Sequence, residues 1–91
     1  MELVEFLLAR IAEDEAYASY VLEQQRDRTV WAPPWTVLAP ARQLAECEAK
    51  RRIVATIQRW LDTGYPTLDH VLFALALPYA DHPDYRDEWR P

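Results

Sequence analysis

The chain has 91 residues, enough for one domain and too few for two independent cores. Its apolar share of 51% and charged share of 27% are those of a globular protein, and a single Gly against seven Pro argues against strands joined by tight turns. A net charge of −5 gives no general attraction to phosphate backbones, and one Cys rules out an internal disulfide and suits a reducing cytosol.

The opening MELVEFLLARIAEDE lacks the basic start and small-residue cleavage site of a secretory signal, and Glu5 and Arg10 interrupt its apolar run. No stretch reaches the ~18 apolar residues of a membrane span. A cytoplasmic protein with no membrane association is the expectation.

Residues 2–25 contain neither Gly nor Pro, and Leu3, Val4, Leu7, Leu8, Ile11, Ala18, Val21 and Leu22 recur at three- and four-residue steps. This pattern predicts a first helix, roughly 36 Å long, with one broad apolar face. So long a helix spans the whole domain or reaches into a partner. Glu13, Asp14 and Glu15 lie mid-helix; neighbours about 100° apart point in three directions, so the three cannot all hold one ion. A solvated acidic face is the plain reading, and one or two metal ligands the alternative.

TVWAPPWTVLAP follows, with Pro33, Pro34 and Pro40 predicting an extended strap, not regular helix. Trp31 and Trp35 bracket the Pro pair. They read either as a hydrophobic strap across the helices or as an exposed anchor for another protein.

A second helix is predicted over 41–62, antiparallel to the first, with Gly64 as its C-terminal stop. Leu44, Ala45, Ala49, Ile53, Ile57, Trp60 and Leu61 supply its apolar stripe. Residues 1–25 hold one base and six acids, whereas 41–62 hold five bases and three acids, so the two helices attract. Arg51, Arg52 and Arg59, with Arg42 and Lys50, are the only basic concentration. Salt bridges to Glu13–Glu15 explain them, and a DNA-binding helix pair is the alternative if Arg51, Arg52 and Arg59 share one exposed face. Cys47, between Glu46 and Glu48, is a poor nucleophile because like charge disfavours its thiolate.

Thr67 and Asp69 open a third helix over 67–77, apolar nearly all round and so expected at the buried centre. Pro78 should end it. The tail YADHPDYRDEW predicts a short helical turn over 83–89, with Tyr79, Tyr85 and Trp89 folding back on the core. Asp81, His82 and Asp84 could ligate a metal, but their spacing fits no defined motif. Capping and a Tyr–His hydrogen bond account for them equally well.

LVEFLLARIAEDE, LAECEAKRRIV and above all LFALALPYADHPDYRDEW resemble an uncharacterised family of short actinobacterial and actinophage proteins, known only as a domain of unknown function. Pro33-Pro34-Trp35 is similar to that family's PGPW-like loop. Some members carry extra Cys or His before the last helix, where this chain has QRWLDTGYPTLDH and no Cys pair. The resemblance therefore implies provenance and cytoplasmic location, but no activity, catalytic residue or zinc site.

The reading from sequence is an all-α, three-helix domain over 1–91 with a Pro/Trp strap and a short C-terminal turn. It carries no nucleophile–base set, phosphate loop or metal motif, and no cofactor is expected. It is expected to be a non-enzymatic interaction or regulatory protein, self-associating through the first helix, with Trp31, Trp35, Arg51 and Arg52 as interaction candidates. The alternatives are a metal-dependent hydrolase site from Glu13–Glu15 with Asp81, His82 or Asp84, and the DNA-binding helix pair.

Overall fold

A computed structural model describes residues 2–26, 35–64 and 69–91. Three α-helices account for most of them: α1 Glu2–Arg26, α2 Trp35–Asp62 and α3 Asp69–Ala76. Two 3-10 turns follow, Leu77–Tyr79 and Asp87–Trp89, and the described residues contain no strand. The all-α reading holds.

The absence of Gly and Pro lets α1 run 25 residues unbroken, with Glu2 and Glu5 at its positive end. α2 corrects the expected boundary. It begins at Trp35, directly after the Pro pair, and holds Pro40 inside it. The proline's fixed φ is already helical; what is lost is one backbone bond to the Thr36 carbonyl, in the second turn from the start. The expected strap therefore shrinks, since 35–40 are helix. Trp31, Pro33 and Pro34 lie outside the described residues, as does the side chain of Trp35.

The stop at the end of α2 is the expected one. Gly64 has φ +97°, and its N–H donates to the Leu61 carbonyl at 3.1 Å while Thr63 N–H reaches the Arg59 carbonyl at 3.2 Å. A residue with a Cβ rarely adopts that φ. α3 ends at Ala76, and Pro78 lies in the 3-10 turn, where a missing N–H costs little. The expected turn over 83–89 is smaller: Arg86 is extended and only Asp87–Trp89 is helical.

α3 is not buried all round, and α1 supplies more of the core. Leu3, Val4, Phe6, Leu7, Ile11 and Ala18 of α1 are buried, against Leu72 and Ala76 alone in α3. An eight-residue helix is about 12 Å long and lies over one face of the α1–α2 pair, so its outer side, with His70 and Ala74, stays exposed. Leu3–Ile11 cluster with Val54 and Ile57, while Glu15 meets Arg51, so α1 and α2 run antiparallel.

The molecule is elongated, 53 × 26 × 17 Å with a radius of gyration of 16.0 Å, against about 12 Å for a compact domain of this length. The excess length is the α1–α2 hairpin. Arg86 pairs with Glu2, Trp89 packs on Phe6 and Tyr79 donates to Asp14, so the C-terminal segment lies along the first half of α1. Beyond Asp14 the described part of the arm is two helices deep.

Candidate functional site

The densest polar and aromatic cluster lies where the C-terminal segment crosses α1. Phe6 is its hub. Tyr79, His82, Tyr85 and Trp89 each present a ring to it, with centroid distances of 6.3, 5.6, 6.1 and 5.1 Å. The first three are near-perpendicular, the favourable edge-to-face geometry. Steps of three, three and four residues let a segment of tight turns return one ring to α1 at each pass. The turns are closed by His82 N–H to the Tyr79 carbonyl at 2.9 Å and Tyr85 N–H to the His82 carbonyl at 3.0 Å.

Arg10, one helical turn beyond Phe6, is 9% exposed. Its guanidinium lies 5.2 Å from the Phe6 ring centroid, donates to Glu13 Oε1 at 2.9 Å and stands 3.9 Å from Asp84 Oδ2. It also touches the His82 imidazole, whose Nδ1 accepts the Asp84 N–H at 3.0 Å. Arg10 Nε is buried with no partner among the described residues. His82 therefore meets Arg10 and the Asp84 backbone, and not the tyrosine hydroxyl expected from sequence.

Tyr79 closes the far end. Its hydroxyl donates to Asp14 Oδ2 at 2.7 Å, and Lys50 Nζ reaches the same hydroxyl at 3.4 Å. Burial and the bond to the Asp14 carboxylate push the phenol well above its ordinary range. At the near end Arg86 pairs with Glu2 and lies 5.7 Å from the Trp89 ring centroid. An open groove of about 460 Å³ runs beside the cluster, with Phe6, Arg10, Asp84 and Trp89 in its walls.

The three consecutive acids take three different partners. Glu13 pairs with Arg10, Asp14 with Tyr79, and Glu15 with Arg51 of α2, whose Nε donates to its two oxygens at 3.1 and 3.0 Å. The bond from Arg51 holds the Glu15 carboxyl below the usual range. A metal centre from Glu13–Glu15 with the tail does not assemble. Glu13, His82 and Asp84 do converge, but on a guanidinium, which puts a fixed positive charge where a cation would sit. Asp81 is exposed, and no three His, Cys, Asp or Glu among the described residues gather to hold a metal ion.

The basic residues do not form one face either. Arg51 turns inward to Glu15, while Arg52 pairs with Glu48 of its own helix at 3.0 Å. Arg59 shares only the Arg52 side, seven residues on. The DNA-binding alternative lacks the surface it requires. Cys47 is buried, and its thiol is pushed up first by that burial and then by Asp14 and Glu15 across the helix pair. Sequence neighbours Glu46 and Glu48 are not the cause.

Phe6 and Arg10 were not visible as cluster residues in the sequence, because neither belongs to the apolar stripe of α1 and nothing local marks them as the residues the tail meets. The spacing 79, 82, 85, 89 was the available signal. Over residues 1–91 the chain matches the model of a family of unknown function (DUF6221). No curated protein and no solved structure matches it.

Proposed function

The chain belongs to DUF6221, a family of unknown function, and we propose that it acts as a non-enzymatic interaction protein whose working surface is the arm of the α1–α2 hairpin. The observation that carries this is the mismatch between the length of the arm and its cover. α3 and the C-terminal segment stop at the level of Asp14, and beyond it Tyr17 and Tyr20 are 66% and 60% exposed. Tyrosine side chains offer large, stiff contact area and are enriched where proteins meet. Several polar groups of the Phe6 cluster serve closure: Arg10 meets His82 and Asp84, Tyr79 meets Asp14, and Arg86 meets Glu2.

No described helix is long and apolar enough to cross a membrane. Partner choice is narrowed by charge. The exposed acids of α1 include Glu5, Glu13 and Glu23, and its one base within 2–25, Arg10, is buried. Two copies meeting through α1 would set acid against acid, which favours a partner of a different kind over the self-association expected from helix length.

A photo-cross-linking residue in place of Tyr20, in the cells that make the protein, tests the reading. A discrete protein adduct formed there, and not from a control position at Glu88, is the expected result. Absence of any adduct at Tyr17 and Tyr20 overturns it.

A further inference from the structure

Phe6, Arg10, Glu13, Tyr17, Tyr20 and Gln24 are spaced four, three, four, three and four, and so form one continuous line along α1. The chain's own C-terminal segment covers the first half. Tyr79, His82, Tyr85 and Trp89 ring Phe6, and Arg10 is sealed against His82 and Asp84. The second half is bare: Tyr17, Tyr20 and Gln24 are exposed and Glu13 marks the boundary, its side chain 62% exposed. This is an established intramolecular interface that continues past the end of the segment occupying it.

We infer that the line Glu13–Tyr17–Tyr20–Gln24 docks a basic amphipathic helix of a partner protein, laid along α1 as a continuation of the C-terminal segment. This rests on the reading of the chain as an interaction protein. Two features specify the occupant. The four-three-four spacing is what a second helix reads, with side chains entering between successive turns. The charge exposed along the line is acidic: Glu13, which accepts from Arg10 yet keeps its side chain 62% exposed, and Glu23 lie on α1, and the one base within 2–25 is buried.

The chain's own chemistry shows how cations sit on its rings. Arg86 lies against Trp89, Arg90 against Tyr85 at 5.6 Å and Lys50 against Tyr79 at 5.5 Å. Lys or Arg of the partner helix would take the same position over Tyr17 and Tyr20 while meeting Glu13 and Glu23. The neighbouring bases of α2 do not oppose this, since Arg42 is paired with Glu46 at 3.3 Å and Lys50 is held at Tyr79.

The test uses two synthetic amphipathic helical peptides of identical Leu spacing, one with Lys and one with Glu at the polar positions, titrated into the ¹⁵N-labelled chain. The Lys peptide should shift amides over 13–24, weaken with added salt, and bind about tenfold less well or worse to the Tyr17→Ala/Tyr20→Ala variant, whose helicity should be unchanged. Equal response to both peptides, or no response to either, overturns the docking line. Shifts mapping to Ile53 on α2 overturn it while leaving an interaction protein standing. Concentration-dependent shifts over 13–24 without peptide would make a second copy the occupant and also overturn it.

Discussion

Phe6, near the start of α1, and Trp89, in the last 3-10 turn, pack with ring centroids 5.1 Å apart and both are buried. The two ends of the chain thus close on each other. Trp89 sits in a 3-10 turn whose N–H donates to the Arg86 carbonyl at 3.0 Å, so the backbone that presents the indole is itself tied. A segment with no α-helix beyond Ala76 is held by side chains returning to α1, four of them as rings on Phe6.

Truncating that residue should be costly. Phe6→Ala removes a buried ring contacted by four others and is expected to lower stability by about 3–5 kcal/mol, with Trp89→Ala in the same range. Because each variant undoes the other's packing, the double variant should lose clearly less than the sum. Urea unfolding of the four proteins gives the numbers, and simple additivity would show that the two rings stabilise independently.

Tyr79→Phe leaves the ring on Phe6 but strips Asp14 of its hydroxyl donor. A loss of about 1–2 kcal/mol at neutral pH is expected. The sign in alkali follows from the raised phenol: the folded state holds that proton more tightly than the unfolded state. The stabilisation is full below the ordinary tyrosine range and fades as pH rises through the folded value. Wild type should therefore lose stability in strong alkali more steeply than the Phe variant, as urea unfolding at a series of alkaline pH values would show.

Glu15 behaves in the opposite sense. Arg51 holds its carboxyl below the ordinary range, so the pair stabilises above that range and the contribution disappears as pH falls through the folded value. Glu15→Gln should unfold at a lower temperature than wild type at pH 7, and the difference should close in strong acid. A gap that persists at pH 2 would assign the effect to something other than the ion pair.

Gly64 is a backbone requirement alone. A Cβ built there meets nothing within 4 Å, yet φ is +97°. Gly64→Ala should cost roughly 1 kcal/mol, and Gly64→Asn less, because Asn tolerates the left-handed region better. Thermal unfolding measures both, and an Ala variant as stable as wild type would place the α2 stop elsewhere.

The helices were legible because long Gly- and Pro-free stretches with a 3.6-residue period leave few other structures open, as across Glu2–Arg26. Gly64 and Pro78 were legible as stops because each has one dominant backbone effect. Pro40 was misjudged, since proline's cost depends on which carbonyl it orphans, and near a helix start that cost falls. α3 was misjudged because apolarity on all sides records composition, whereas burial depends on how many neighbours an eight-residue helix has. Of the cluster, the aromatic spacing of the tail was readable. The role of Phe6 and Arg10 was not, because which α1 residues a distant segment meets is a matter of tertiary packing that helical period does not encode.

The chain's own tail covers the Phe6–Arg10 side of α1 as far as Asp14, and Tyr17 and Tyr20 stand exposed beyond it. Hydroxyl-radical footprinting of the isolated protein at low concentration tests this most directly, tyrosine by tyrosine. Tyr17 and Tyr20 should be modified several times faster than Tyr79 and Tyr85, and in Phe6→Ala the latter two should accelerate while Tyr17 and Tyr20 do not change. Protection of Tyr17 and Tyr20 equal to that of Tyr79 and Tyr85 would contradict the account, because the arm would then already be covered.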